Sequence, residues 1–282
     1  MDFAEIRRLV IIGMFSDDTL FNRLTLKGGN ALNLIYGFGM RSSLDVDLSL
    51  EQDFDDPEDS GNRIFQALSN RFAEAGVTVF DYKFGKRPVK ENSDDGRWGG
   101  YEAEFKLMET DKYDRIKNDM DRVRRESLVI GDGQQRIFRV QISKYEYCDG
   151  KVERNLDHYS IYVYTPEMIV IEKLRAICQQ MPEYPQRRYA AARARDFYDI
   201  FSTVGAARID LSTPENLELV KHIFAAKSVS LYLLAKVRNY REFHRPDWPS
   251  VELTAAEKLE SFDFYFDFVL QQIQLLKSLW EI

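Results

Sequence analysis

The chain is predicted to be of the α/β class, with a mixed-sheet unit over residues 1–165 and a helical unit over 166–282. Three observations carry this reading. Strand-like alternation recurs before residue 165, in VTVFDYKFG, YEAEFKLM and RIFRVQISKYEY. After TPEM at 165–168 it stops, and apolar residues recur at three- and four-residue steps in Met168, Ile171, Leu174, Ile177 and Met181. A length of 282 residues suits one large or two modest domains with a real core.

Each element follows from local pattern. Residues 2–15 read as a helix, TLKGG as a short strand entering a turn, and NALNLIYGF as a helix with Asn30 at its N-cap. SLDVDLSL is a strand, EQDFDDPEDS a polar loop, and a helix is expected near 60–75. DDGRWGG is a turn between two strands, and the polar stretch 111–126 suits either a helix or a long loop. In the second unit, Phe197, Ile200, Phe201 and Val204 keep helical spacing, and SVSLYLLAKVRNYREF and SFDFYFDFVLQQIQLLKSLW read as long helices.

Composition excludes several classes. Hydrophobic residues make up 44% and charged residues 30%, as in soluble globular proteins. The apolar run LVIIGMF at 9–15 is too short to span a bilayer and lacks a cleavage-site pattern, so a cytoplasmic protein with no membrane partner is expected. Cys148 and Cys178 form no CxxC pair, and His158, His222 and His244 lie far apart, which suggests neither a zinc site nor a disulfide framework. A net charge of −7 argues against coating nucleic acid through bulk charge, so any such contact must be local.

Period two places Asp45, Asp47 and Ser49 on one face of the SLDVDLSL strand, and Leu44, Val46, Leu48 and Leu50 on the other. Two carboxylates about 6–7 Å apart repel one another unless a cation relieves them, and magnesium binds through one or two carboxylates plus phosphate oxygens. A solvated pair on an edge strand is the alternative reading. Upstream, Gly28 and Gly29 leave backbone N–H groups uncovered at a helix start, which suits a phosphate, although a tight turn alone explains them too. The GxxxxGK[ST] spacing is absent. A phosphate-binding turn preceding a metal-binding strand is the constellation of an enzyme that transfers a nucleotidyl group from a nucleoside triphosphate.

KGGNAL at 27–32 and RSSLDVDL at 41–48, followed in order by EKLRAI at 172–177 and RDFYDI at 195–200, resemble the signatures of the AbiEii/AbiGii toxin family of nucleotidyltransferases, relatives of the polymerase β superfamily. The resemblance implies an N-terminal polymerase-β-like domain with a mixed sheet, closed over by a C-terminal helical domain. It implies a toxin with a cognate antitoxin from a neighbouring gene, using Mg2+ and a nucleoside triphosphate, with the 3′ end of tRNA as the expected acceptor. By the same resemblance Asp45 and Asp47 hold the metal and Ser43 contacts phosphate. Lys173 binds the triphosphate, and Asp196 supports catalysis. Lys27, Gly28, Gly29, Asn30, Arg41, Arg195 and Asp199 complete the expected nucleotide-binding set.

Two positions depart from the family pattern. Asn30 replaces the usual Thr or Ser, and Gln141 in RVQISKYE stands where a third carboxylate is expected. An amide is no base and binds magnesium poorly, so Glu102, Glu104, Glu146 or Asp196 is left to supply the missing carboxylate. From the residues alone, Lys173 also reads as a snorkelling lysine paired with a nearby glutamate. QRRYAAARAR at 186–195 carries four arginines and no acid. It reads either as a seat for phosphate or RNA backbone, or as a solvated helix face with Arg195 paired to Asp199. Two further functional readings stand beside tRNA modification: the same chemistry on a protein or small-molecule acceptor, and a catalytically silent module that binds its partner.

Overall fold

The computed structural model describes residues 1–38, 45–88, 99–130, 134–186, 189–253 and 258–281. The chain divides into two compact units, one formed by 1–35 and the chain from Asp45 to Val163, the other by 36–38 and the chain from Tyr164 onward.

The first unit is built on a mixed seven-stranded sheet of order β3-β4-β5-β2-β1-β7-β6 among the described residues. Its strands are β1 (Leu24–Leu26), β2 (Val46–Leu50), β3 (Val77–Arg87), β4 (Gly100–Glu109), β5 (Phe138–Ser143), β6 (Val152–Leu156) and β7 (Tyr159–Val163). Pairing is parallel between β1 and β7 and between β2 and β5, and antiparallel elsewhere. The central strands are apolar enough to be sealed, with Leu24, Leu26, Val46, Leu48, Leu50, Val140 and Phe105 fully buried. Period two holds on β2, yet its polar positions differ: Ser49 is fully buried opposite the equally buried Thr25, whereas Asp47 keeps partial exposure and Asp45 sits just ahead of the strand.

Two helices pack together beside the sheet. Helix α1 (Phe3–Phe15) is capped by Asp2, whose Oδ1 accepts from Glu5 N–H at 2.8 Å, and buries Ile6, Val10, Ile11 and Met14. Following α2 (Asp18–Arg23) and the short α3 (Gly28–Asn30), α4 (Pro57–Glu74) is capped by Asp56, has Pro57 in its first turn, and buries Ile64, Leu68 and Phe72 at four-residue steps. The polar stretch 111–126 resolves into two short helices, α5 (Thr110–Ile116) and α6 (Met120–Glu126). Tyr113, Ile116, Met120 and Val123 cover Phe80 and Met108 there.

The sequence reading missed the β6–β7 hairpin. Its turn is made by Asp157 and His158, both at positive φ (50° and 74°), with Asn155 Oδ1 accepting from His158 N–H at 2.9 Å. Neither is glycine, so the usual turn signal is missing.

The Asn30 N-cap is corrected. The helix begins at Gly28, with extended Lys27 at the cap position and no side chain capping it, and continues as a π-helical turn Ala31–Ile35. Asn30 lies inside the helix, its amide engaged with groups outside it, and cannot fold back onto the first turn.

The second unit is helical: α7 (Pro166–Cys178), α8 (Ala194–Ala207), α9 (Pro214–Ala226) and a C-terminal helix Phe262–Leu275. Thr165 and Thr213 cap α7 and α9, each followed by a proline that is pre-set for the first helical turn. Phe197 stacks on Phe266, and Phe262 meets both edge-on, with centroids 5.0–5.6 Å apart. The long helix expected over 228–243 breaks into short α and 3-10 turns. Its apolar stripe ends at Val237, so no continuous buried face supports a longer helix. No helix among the described residues is long and apolar enough to cross a membrane.

Candidate active site

The expected site residues fall into two groups, one in each unit. In the first unit, β1 delivers Lys27 and the glycine turn next to β2. Lys27 N–H donates to Asp47 O at 3.0 Å, which ties the turn to the strand. Gly28 has φ +68°, and a Cβ added to it would stand 3.1 Å from Asp47 Oδ2. Glycine at 28 therefore permits both the left-handed backbone and the close approach of the carboxylate. Lys27 is nearly buried, and its ammonium lies 3.6 Å from Glu146 Oε1.

Parallel pairing sets Asp47 opposite Gln141 on β5, and antiparallel pairing sets Gln141 opposite Glu102 on β4. Gln141 Nε2 donates to Asp45 Oδ2 at 3.1 Å. A neutral amide thus supports one aspartate where another carboxylate would have repelled it. Of the candidate replacements for a third carboxylate, Glu102 pairs with Arg87, Glu104 pairs with Arg139 at 2.9 Å, and Glu146 faces Lys27. Burial pushes the Asp45 carboxyl above the ordinary aspartate range, against the opposing pull of Arg139, Arg87 and the Gln141 N–H.

Arg41 and Ser43 lie outside the described residues.

The resemblance implies magnesium, and the donor set can be tested against it. Among the described residues no group of three or more His, Cys, Asp or Glu side chains forms a metal cage. The aspartates offer hard oxygen ligands, and the missing side chain at Gly28 leaves room beside Asp47. That fits a divalent ion that takes one or two carboxylates and completes its shell with phosphate oxygens and water.

In the second unit, α7 carries Lys173 and α8 carries Asp196 and Asp199, one helical turn apart. Lys173 Nζ donates to Asp196 Oδ1 at 2.9 Å and to Asp199 Oδ2 at 2.7 Å. Both aspartate side chains are 6% exposed and the lysine 14%. Burial alone would pull Lys173 down, but the two carboxylates outweigh it and hold the ammonium above its ordinary range. For Asp196, burial is likewise outweighed by Arg193 and Lys173, so its carboxyl is held well below the usual range. Lys173 therefore pairs with these aspartates, where sequence alone suggested a glutamate.

The arginine run is also corrected. Helix α8 starts only at Ala194, so residues 189–193 precede it and form no helix face, and Arg187 and Arg188 lie outside the described residues. Asp199 pairs with Lys173, not with Arg195, which is exposed. Arg193 is the arginine that meets Asp196, through Nε. The start of α8 is held from a distant segment: His244 Nδ1 accepts from Arg193 N–H and Asp247 Oδ2 from Ala194 N–H, both at 3.1 Å. Sequence reasoning gave none of Arg193, His244 and Asp247 this role. The arginine run at 186–195 contains Arg193 without marking it out from its neighbours, and nothing local joins residues 193 and 244.

The chain resembles solved structures at low identity. JHP933 from Helicobacter pylori is 17% identical with a TM-score of 0.45, over 98% of this chain and 91% of that one. A putative nucleotidyltransferase from H. pylori is 16% identical with a TM-score of 0.46, over 98% and 93%. An antigenic nucleotidyltransferase-like protein from Paracoccidioides brasiliensis is 15% identical with a TM-score of 0.38, over 80% and 93%. No curated protein matches the chain. The model of the nucleotidyl transferase AbiEii toxin family, type IV toxin–antitoxin system, matches residues 10–268. Nearly the whole sequence is thereby accounted for, and the chain belongs to the AbiEii nucleotidyltransferase toxin family.

Proposed function

We propose that the protein is a magnesium-dependent nucleotidyltransferase that moves a nucleoside monophosphate from a nucleoside triphosphate to an acceptor hydroxyl, the 3′ end of tRNA, and so blocks translation. A cognate antitoxin is its proposed partner. The observation that carries the reading is a glycine turn whose residue 28 lies against Asp47, with the Asp45 carboxylate two residues earlier held by Gln141.

In this reading the amide groups at Gly28 and Gly29 bind phosphate oxygens. Lys173 has three N–H donors, of which two go to Asp196 and Asp199, leaving the third for a phosphate oxygen. Asp45 and Asp47 would hold a magnesium ion, which when bound would supply charge neutralisation for the phosphate. The acceptor oxygen bonds to the α-phosphorus while the bond to the pyrophosphate oxygen breaks. Gln141 cannot take the hydroxyl proton, so that role goes to a carboxylate of the same sheet face. Glu102 stands in register with Gln141 and is the candidate.

Purified protein with magnesium, RNA and labelled nucleoside triphosphates is expected to label RNA, and Asp45→Ala to abolish the transfer. Label transfer that survives Asp45→Ala would remove the site. The net charge of −7 favours one other acceptor class, a protein or small molecule. Labelling a whole lysate and then digesting with nuclease or protease separates the two acceptors.

A further inference from the structure

Asn30 bridges two parts of the first unit that are remote in sequence. Its Nδ2 donates to the backbone carbonyl of Asp45 at 2.7 Å, and its Oδ1 accepts from Arg7 Nη1 at 3.3 Å. Asn30 is 1% exposed and Arg7 3%. Arg7 comes from α1, where its guanidinium also lies over the Phe3 ring at 4.8 Å. Burying a guanidinium is costly, and burial does lower the Arg7 pKa.

We infer that Arg7 and Asn30 form a buried strut that fixes the backbone of Asp45, and with it the direction of the Asp45 carboxylate. Both are positioning residues, and Asn30 is assigned here to the protein's own frame instead of to the nucleotide. An amide suits this work because its acceptor and donor sit on different atoms and face different ways. The single hydroxyl of Thr or Ser would have to meet Arg7 and the Asp45 carbonyl from one atom. The departure at Asn30 from the family's usual residue and the buried arginine at position 7 thus have one explanation.

The carboxylate gains in two ways. Asn30 anchors the peptide group of Asp45 from one side while Gln141 holds Oδ2 from the other, so backbone and side chain are each fixed by an uncharged amide. Neither amide neutralises the carboxylate, which stays available to a cation. Groups that orient a metal ligand typically change metal affinity on the order of ten- to a hundredfold when removed.

This inference rests on the reading that Asp45 holds a metal, and the test keeps the two apart. Arg7→Met keeps the apolar stem and removes the guanidinium, Arg7→Lys keeps the charge, and Asn30→Thr restores the family's residue. Each is compared with the wild type by hydrogen exchange of the 46–48 amides, by Mn2+ affinity with a non-hydrolysable nucleoside triphosphate, and by kcat and KM for transfer. The expected result is faster exchange at 46–48 in Arg7→Met and Asn30→Thr, with Mn2+ affinity and kcat each down on the order of tenfold. KM for the triphosphate should stay within about twofold, and Arg7→Lys should recover part of the loss. The two substitutions combined should do no more harm than either alone, because they break one strut. Unchanged exchange at 46–48 in both variants overturns the strut, and altered exchange with wild-type Mn2+ affinity overturns its role in metal holding. Absence of both Mn2+ binding and transfer in the wild type would instead defeat the nucleotidyltransferase reading, while the exchange measurement still decides the strut.

Discussion

Gln141 stands directly opposite Asp47 across the β2–β5 pair and donates its side-chain N–H to Asp45 Oδ2 at 3.1 Å. One amide thus sits where the sheet face would accommodate another carboxylate. Glutamate at that position would add a negative charge beside a carboxyl already raised by burial. We expect Gln141→Glu to cost about 1–2 kcal/mol without metal, or a melting temperature lower by about 3–6 °C. Millimolar magnesium with triphosphate should restore most of that loss and raise kcat. A variant whose melting temperature ignores magnesium would show that no cation binds beside residue 141.

Asp45→Asn separates the fold from the chemistry. The substitution removes a half-buried charge while keeping an oxygen that accepts from Gln141, so stability should stay within about 1 kcal/mol of wild type or improve. Transfer should fall at least about a hundredfold, since a neutral amide is a poor ligand for magnesium. Urea midpoints and label transfer measured on the same preparation check both parts. Large losses of both together would point to a structural role for this carboxylate.

Much of the frame around these residues is legible in the chain. Period two separates Asp45, Asp47 and Ser49 from Val46, Leu48 and Leu50, and the Thr-Pro pairs at 165–166 and 213–214 mark two helix starts. Alternation cannot say which polar position on that face is sealed, because burial of Ser49 depends on Thr25 of a neighbouring strand. It is silent, too, on Asn30, since a capping residue and a long-range amide bridge look alike in sequence and only packing against Arg7 and Asp45 chooses between them. The contacts of Arg193 with His244, and of Lys173 with two aspartates from another helix, span 23 residues or more and leave no periodic trace. The His158 turn escaped for a local reason: its left-handed residues are Asp and His in place of Gly.

Gly28→Ala would place a methyl group 3.1 Å from Asp47 Oδ2 at a φ of +68°. Left-handed strain costs an alanine about 1–2 kcal/mol, and the carboxylate must also turn aside. Stability should drop by that amount. Transfer should drop by at least about tenfold, because the aspartate and the uncovered amides are displaced together. Calorimetry and label transfer read the two effects. An active Gly28→Ala variant would show that Asp47 need not lie against the turn.

Lys173→Met tests the ion triad in the helical unit. It leaves Asp196 and Asp199 buried without the ammonium that now binds both, and removal of one partner from such a network costs about 3–5 kcal/mol. Adding Asp199→Asn should recover a substantial part of the stability by removing one buried charge. Transfer should not return with it, since the donor proposed for phosphate is still missing. Recovery of transfer in the double variant would assign Lys173 a structural role alone.

His244 makes the stability of the helical unit depend on pH. Its ring is fully buried, its Nδ1 accepts from Arg193 N–H, and burial lowers its pKa from 6.5 to about 4 despite the nearby Asp196 carboxylate. Protonation would turn Nδ1 from acceptor to donor and set it against that N–H. Between pH 6.5 and about 4 the unfolded chain binds this proton more readily than the folded one, so stability rises with pH across that window. The contribution is complete above pH 6.5 and lost as the pH falls toward 4, amounting to about 3 kcal/mol at most. His244→Asn keeps an acceptor for Arg193 without a titrating ring. Its packing loss lowers stability at every pH, but the slope assigned to residue 244 should vanish. Urea midpoints at pH 4.5, 5.5 and 7.0 in both proteins decide the matter, and equal slopes would mean that this histidine is not kept neutral by the fold.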